Sequence, residues 1–515
     1  MSRSLAEDRA DPYERQSVRR TLTRFGWLRT EVLAGLVVAL ALIPEAIAFS
    51  IIAGVDPRVG LFASFTMAVT TAVLGGRPAM ISAATGAVAL VIAPLSASHG
   101  VDHLIAAVIL AGVFQVILAV VGAARLMRFI PRQVMVGFVN ALAILVFLAQ
   151  LPELIGVPWL VYVVCAAGLL IVFVLPRFTT AVPAPLVAIL VLTPLVVLLG
   201  WDIPTVGDRG ELPESVPFLF IPDVPLTWET FTTIAPFSLA MAVVGLLESL
   251  LTAKLVDDIT DTRSNKTRES WAQGAANITS GFLGGMGGCA VVGQTMMNVR
   301  ASGARTRIST FCAGVLLLVL VVLLGDVVAV VPMAVLVAIM VFVSWATFDW
   351  HSIRPSTLTR MPLSETIVML VTVVATVWTH NLAIGVGLGV LVAMVAFARR
   401  VAHFVTVTRE VIEEAGDREA GDGEAAPAGP CARYTVEGEL FFASSNDLFT
   451  QFRYAEDPAR VIIDMHRSHV WDASTVAALD SVTEKYAARG TVVEVRGLNA
   501  ASRRMRERLS GTLGG

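Results

Sequence analysis

Charge is what this chain has least of. Asp, Glu, Lys and Arg make up 15% of its 515 residues, against 56% hydrophobic residues, and the mean hydropathy is +0.74. That balance excludes a soluble enzyme and specifies a polytopic membrane protein. The net charge of −3 averages a neutral membrane part and charged ends, so it decides little. Cysteine is sparse too. Cys165, Cys289, Cys312 and Cys431 are scattered without metal or disulfide spacing and read as unpaired. Walker, kinase, Ser-His-Asp and metal-ligand spacings are missing, so neither ATP hydrolysis nor enzymatic turnover is expected, nor any cofactor or nucleic-acid partner. Polar residues 1 to 29 precede the first apolar run, which argues against a signal peptide.

What is present is glycine, concentrated in one place. Gly281, Gly284, Gly285, Gly287, Gly288 and Gly293 fall within thirteen residues. A short uncharged piece, Ala290 to Val299, follows, and Arg300, Arg305 and Arg307 close it. Glycine runs weaken helices and permit positive φ. Ten residues of helix rise only ~15 Å, about half of the ~30 Å hydrocarbon core. The stretch reads as a half-helix that starts in mid-membrane, its free N–H groups forming an anion site. The plainer reading is a flexible loop between two spans. A second stretch, residues 75 to 95, favours the half-helix: Gly75-Gly76 precede a short apolar piece that runs from Ser82 to Pro94. Two interrupted segments in corresponding halves point to the central site of a transporter.

Residues 1 to 29 form a polar segment whose Arg19, Arg20, Arg24 and Arg29 hold the N-terminus in the cytoplasm. Spans are expected over Glu31–Ala53, Val59–Leu74, the first half-helix, Leu104–Ala124, Gln133–Leu151, Trp159–Leu175 and Pro183–Gly200. After a polar loop over 202–230 come Phe231–Val256, Trp271–Phe282, the second half-helix, Ile308–Gly325, Val327–Phe348, Glu365–Thr379 and Leu382–His403. The total is fourteen segments, two of them half-length. Threading them from an inside N-terminus puts Arg77, Arg125, Arg128, Arg132, Arg177, Lys254, Arg263, Lys266, Arg268, Arg300, Arg305, Arg307, Arg354, Arg360, Arg399 and Arg400 on the cytoplasmic side. Only Arg58 and Arg209 fall outside, a strong positive-inside pattern. Seven segments per half make two inverted repeats with the half-helices at equivalent places.

Five stretches carry a family resemblance: PEAIAFSIIAGVDPRVGLFASF (44–65), ISAATGAVALVI (81–92), QGAANITSGFLGG (273–285), MNVRASGARTRIS (297–309) and VIIDMHRSHVWDAST (461–475). Their order and spacing resemble the sulfate permease (SulP) anion transporters, related to the eukaryotic solute carrier 26 proteins. The resemblance covers the chain after residue 25. It implies a fourteen-segment transmembrane domain of core and gate parts, a cytoplasmic STAS domain and a homodimer. The domains expected are an N-terminal segment (1–29), a transporter domain (30–406), a linker (407–430) and a STAS domain (431–515).

Glu248 follows seventeen uncharged residues of the eighth span, and Thr252, one turn on, shares its helix face. An intramembrane carboxylate is a functional candidate by default. It can carry a proton, bind a sodium ion together with Thr252, or make a structural hydrogen bond. In sodium-coupled bicarbonate members an acid and a threonine four apart resemble this pair. Those members place a third oxygen ligand where Val292 stands here, which favours a proton over sodium. Many sulfate-transporting members carry an arginine where Gln294 stands here, which favours a monovalent anion such as bicarbonate. The family's Gly-Pro before the first half-helix reads Ala83-Ala84. Backbone amides around Ala84, Thr85 and Gly86, and around Val291 and Val292, are expected to bind the anion. The Thr85 hydroxyl is either a further ligand or packing. Phe49 lines the pocket or packs against the gate, and Glu45, polar at depth, either has a pocket or gating role or has none.

Asn140 reads as an interhelical hydrogen bond rather than a ligand. Lys254, Asp257, Asp258 and Asp261 read as a solvated helix end, with a salt-bridge gate as the other reading, and His380 as a loop tip. Residues 411–430 read as an acidic linker. The remainder alternates strands (433–439, 440–442, 460–464, 491–496) with helices (446–452, 473–486, 500–509), an α/β domain. In STAS proteins the residue at Ser474 can be phosphorylated; Asp472 or Ser474 as a simple N-cap is the competing reading. The sequence thus specifies a secondary anion transporter in a bacterial plasma membrane, surrounded by lipid, with both termini cytoplasmic. The rival readings are an anion channel of the same fold, a membrane-tethered STAS interaction protein and a nucleobase symporter; residues 431 to 515 argue against the last.

Overall fold

Uncharged runs become helices here because in hydrocarbon a backbone can satisfy its polar groups only within its own segment. The computed structural model describes residues 16–122, 130–178, 184–402, 405–414, 429–445 and 448–511. Arg125, Arg128, Pro183, His403, Asn446, the first fifteen residues and 415–428 of the linker lie outside them. The helices are α1 (Phe25–Ala53), α2 (Pro57–Leu74), α3 (Gly86–Val121), α4 (Arg132–Leu148), α5 (Trp159–Val174) and α6 (Ala184–Leu198), then α7 (Trp228–Thr260), α8 (Lys266–Phe282), α9 (Val292–Met296, continued as a π turn over Met297–Ala301), α10 (Arg307–Leu323), α11 (Met333–Thr347), α12 (Leu363–Thr379) and α13 (Leu382–Ala402). Two-residue strands β1 (Ser82–Ala83) and β2 (Cys289–Ala290) precede α3 and α9. Among the described residues seven helices are long and apolar enough to cross a membrane, and α6, α10, α11 and α12 are shorter apolar helices.

α3 breaks at Gly100 (φ 81°, ψ −177°) into two helices. Counted so, helices stand at all fourteen expected places, and both halves run helix, helix, strand, short helix, four helices. The first half-helix differs in its limits from the expectation of Ser82 to Pro94. It starts at Gly86, because Ser82 and Ala83 are drawn into strand pairing, and it passes through Pro94 to the break at Gly100.

Two helix groups follow from the packing. α1, α2, α3, α7, α8 and α10 pack on one another, and α4, α5, α6, α11 and α12 form the second group. Crossings need small residues: a Cβ on Gly112 of α3 would stand 2.6 Å from the Gly274 carbonyl oxygen of α8, and one on Gly274 would stand as close to the Gly112 carbonyl. Loops gather at two ends. At one end Arg58 N donates to the Glu211 carbonyl, Val206 N to the Val331 carbonyl and Asp223 N to Asp102 Oδ1. At the other, Glu31 of α1 accepts from Arg305 N, Thr306 N and Ser309 N, capping the start of α10.

The chain divides into two compact units, with the division at residue 390, inside α13. The second unit carries a four-stranded sheet in the order β3 (Thr406–Glu414), β4 (Gly429–Leu440), β5 (Arg460–Val470), β6 (Val492–Arg496), with β3–β4 antiparallel and the other pairs parallel. Helices α14 (Ala473–Ala487) and α15 (Ala500–Leu509) complete it, over a core of Tyr434, Val436, Ile463, Met465, Val476, Leu479 and Tyr486. β3 takes residues expected to form linker. TVTREVIEE alternates along a strand, and Arg409 Nε reaches the buried Asp457 carboxylate at 2.7 Å. Of the stretch 433–442, expected as two strands, residues 433–440 are the end of one, and single helical turns at Phe442–Ser445 and Leu448–Gln451 stand in place of the expected helix at 446–452.

Candidate functional site

The glycine-rich stretch exists to let two extended segments cross. β1 and β2 pair antiparallel, Ser82 opposite Ala290 and Ala83 opposite Cys289. Val291 N donates to the Ile81 carbonyl at 2.8 Å, and Ile81 N to Thr295 Oγ1 at 3.0 Å. Gly287 has φ +69°, and a Cβ on it would press on Asn277 Oδ1 at 2.5 Å. α8 braces the crossing with one row of side chains spaced a turn apart. Glu269 Oε2 accepts from Gly76 N (2.7 Å) and Arg77 N (2.9 Å). Gln273 Nε2 donates to Ser82 Oγ (2.8 Å) and Glu269 Oε1 (2.9 Å). Asn277 Oδ1 accepts from Gly288 N at 2.8 Å, while its Nδ2 donates to Gln115 Oε1 at 2.9 Å.

Both half-helices start beside this crossing. Thr85 is the N-cap of α3, its Oγ1 accepting from Val88 N at 3.4 Å. The amides of Gly86 and Ala87 have no carbonyl one turn back. Ala84, expected to offer its amide, donates it to Ser64 Oγ at 3.2 Å instead. Val291 is committed in the same way to Ile81, so at the second start the amides left over are those of Val292, Gly293 and Gln294. Val292 is 37% exposed, whereas Thr85 is 2% exposed. Phe49 of α1 and Val146 of α4 close over Gly86, where a Cβ would stand 2.9 Å from Phe49 Cε1 and 3.1 Å from Val146 Cγ2. Glu45, one turn before Phe49, is buried with the Gln294 side chain as its polar neighbour.

Glu248 of α7 is buried, and its Oε2 accepts from Cys289 Sγ at 3.0 Å. Cys289 Sγ also meets Thr85 Oγ1 at 3.1 Å. Thr252 Oγ1 donates to the Glu248 backbone carbonyl at 2.8 Å, so its hydroxyl is spent along its own helix. Ser249 Oγ accepts from Ala290 N at 3.1 Å. The site therefore holds two buried carboxylates, two helix starts and a thiol. Helix starts carry about half a positive charge and attract anions; the carboxylates can take up a cation.

The Sulfate permease family model matches residues 28–165 and 157–372, and the STAS domain model matches 427–510. This chain belongs to the sulfate permease family. It is 51% identical to YbaR of Bacillus subtilis over 486 residues, which cover 94% of this chain and 98% of YbaR. It is 25% identical to the Bicarbonate transporter BicA of Picosynechococcus sp. over 532 residues, 94% of this chain and 91% of BicA. Its fold resembles that of the murine Solute Carrier 26 family member A9 anion transporter in the inward-facing state, with TM-score 0.78 at 15% identity over 93% of this chain and 87% of that one.

In this permease the remaining candidates have defined places. Asn140 Nδ2 donates to Ser352 Oγ (2.9 Å) and its Oδ1 accepts from Asp349 N (2.8 Å), a bond from α4 to the segment after α11. The end of α7 is only partly solvated. Lys254, Asp258 and Asp261 are exposed, but Asp257 pairs with the buried Arg77 at 2.9 Å and with Lys266 at 2.8 Å. His380 ends α12 in the left-handed region at φ 51°. Ser474 is exposed in the first turn of α14; the cap is Asp472, whose Oδ1 accepts from Thr475 N at 3.1 Å. Among the described residues no group of three or more His, Cys, Asp or Glu is placed to hold a metal ion. Sequence reasoning missed Cys289, Ser249, Ser64, Thr295 and the row Glu269–Gln273–Asn277. Only the row left a signal, three polar residues four apart on a helix otherwise rich in small residues.

Proposed function

We propose that this permease is a secondary active transporter of a small inorganic anion, driven by a coupling cation. The observation that carries the reading is the convergence of two helix starts on one strand crossing, with Glu248 and Glu45 buried beside it. The amides of Gly86, Ala87, Val292 and Gly293 bind the anion, and Glu248 takes the cation. A proton is favoured over sodium, because Thr252 spends its hydroxyl on a backbone carbonyl and Val292 offers no oxygen. YbaR's name proposes sulfate, and BicA's names bicarbonate. Gln294 gives the site no countercharge for a divalent anion, which favours bicarbonate.

The helices that carry the crossing would move as a core past the gate formed by α4, α5, α6, α11 and α12, in an elevator-like step. The denser packing within each group than between the two supports this, as does the meeting of Phe49 and Val146 over Gly86. The protein works in the bacterial plasma membrane as a homodimer with both termini cytoplasmic. The clustering of Arg77, Lys266, Arg268, Arg305 and Arg307 with the loops they hold at one end supports that orientation.

The test is uptake of labelled bicarbonate and labelled sulfate into proteoliposomes, each with an imposed proton gradient and then a sodium gradient. Accumulation of bicarbonate driven by protons is expected. Conductance without accumulation would make the protein a channel instead.

A further inference from the structure

Thr85, Cys289 and Glu248 stand in line across three elements, the cap of α3, the strand β2 and the helix α7, and they are 2%, 0% and 8% exposed. While Glu248 is ionised, the two contacts in that line have fixed directions. An ionised carboxylate only accepts, whereas a thiol has one proton to give. In that state the Cys289 thiol donates its hydrogen bond to Glu248 Oε2 across the 3.0 Å contact. The sulfur is left as an acceptor, so the 3.1 Å contact is the Thr85 hydroxyl donating to it. Thr85 Oγ1 meanwhile accepts from Val88 N. The single proton of that hydroxyl is thereby spent on the Cys289 sulfur, while the Gly86 and Ala87 amides have no carbonyl one turn back.

We propose that Cys289 is a positioning residue that withholds the Thr85 hydroxyl proton from the anion, so that the anion meets backbone amides alone. This rests on the reading of the half-helix starts as the anion site. Its consequence is a deliberately weakened site. A transported ion must bind well enough to enter and loosely enough to leave, and one charge-assisted hydrogen bond fewer changes affinity about tenfold.

The test measures the half-saturating concentration for anion exchange in proteoliposomes of the full chain, with labelled sulfate and labelled bicarbonate and no imposed gradient. Cys289→Ala removes the acceptor and is expected to lower that concentration about tenfold for the transported anion. Cys289→Val, closer in volume, gives a second variant with the same expectation should the alanine variant fold poorly. Cys289→Ser keeps both a donor and an acceptor and is expected to match the wild type. In a Thr85→Val background the Cys289→Ala change should have no further effect, because the freed hydroxyl is gone. An unchanged concentration in Cys289→Ala and Cys289→Val, or an effect that persists without the Thr85 hydroxyl, overturns the role of Cys289 while leaving the transporter reading intact. Wild-type protein that exchanges neither anion overturns both.

Discussion

The carbonyl oxygen of Ala83 lies where a side chain at Gly288 would begin: a Cβ there would stand 1.9 Å from it. Backbone cannot yield as a flexible side chain can, since Ala83 is held by its pairing with Cys289 and the next amide, that of Ala84, by Ser64. Gly288→Ala should therefore separate the strands and cost more than ~4 kcal/mol. Gly387→Ala is the control, a helical glycine of α13 with open space around it; it should be neutral or slightly stabilising. Thermal unfolding in detergent, followed by monodispersity on size exclusion, separates the two outcomes.

Glu269 is fully buried and holds two backbone amides with one oxygen and Gln273 with the other. Glu269→Ala orphans the Gly76 and Arg77 amides at ~1–3 kcal/mol each. Glu269→Gln keeps the accepting oxygen, and Gln273, whose Oε1 has no partner, can turn its amide to meet the new donor. The alanine variant should lose most of its folded yield, and the glutamine variant should retain stability within ~1 kcal/mol. Equal losses in the two, measured by thermal unfolding, would show that the charge itself and not the accepting oxygen is needed.

What the residues announced was mostly length and punctuation. Helices such as Trp159–Val174 and Leu382–Ala402 follow from long apolar runs; the first opens at Pro158, and the second at Asn381, whose Oδ1 accepts from Ala383 N and Ile384 N. What stayed hidden was anything decided across the chain. The start of α3 moved from Ser82 to Gly86 because β2, far along the sequence, claimed Ser82 and Ala83. The amides of Ala84 and Val291 looked available because their acceptors, Ser64 and Ile81, lie on other elements. Glu248 was paired with Thr252 on helix periodicity, whereas its side chain turns to Cys289. β3 could have been seen: the alternation in TVTREVIEE is strand-like, but its acidic end made it read as linker.

The second unit has its own polar centre. Asp457, whose side chain is wholly buried, accepts from Arg409 Nε (2.7 Å), Tyr434 OH (2.7 Å) and Tyr486 OH (2.5 Å). Burial, and then the bond to Asp457, push the Tyr486 phenol above its ordinary range, and burial raises Tyr434 and Tyr454 as well. A raised phenol keeps its proton in the folded state above pH ~10, where the unfolded chain releases it. The stability these groups contribute is complete below pH ~10 and falls as pH rises beyond it. Absorbance at 295 nm should show a late-ionising fraction of the five tyrosines that appears only as this unit unfolds. Tyr486→Phe should shrink that fraction and, by deleting one bond to a buried carboxylate, cost ~1.5–3 kcal/mol. A single ionisation step at the ordinary phenol range would contradict the buried cluster.

Coupling is the property that Glu248 alone should control. Its carboxylate touches Cys289, and Cys289 touches the cap of α3, so on the proposed reading a cation taken up at Glu248 would act next to the anion and not at a distance. Glu248→Gln keeps the shape and can still bond the thiol sulfur, but it can neither ionise nor gain a proton. The variant should bind and exchange anion across the membrane while failing to accumulate it under a proton gradient. Thr252→Val separates the two cations. If sodium were the driver, loss of that hydroxyl would raise the half-saturating sodium concentration. If the proton is the driver, accumulation survives, because the hydroxyl bonds only the Glu248 carbonyl one turn back. Accumulation measured for Glu248→Gln and Thr252→Val side by side, under each gradient, therefore assigns the cation, and sustained accumulation by Glu248→Gln would move the coupling role to Glu45, the other carboxylate buried beside the crossing.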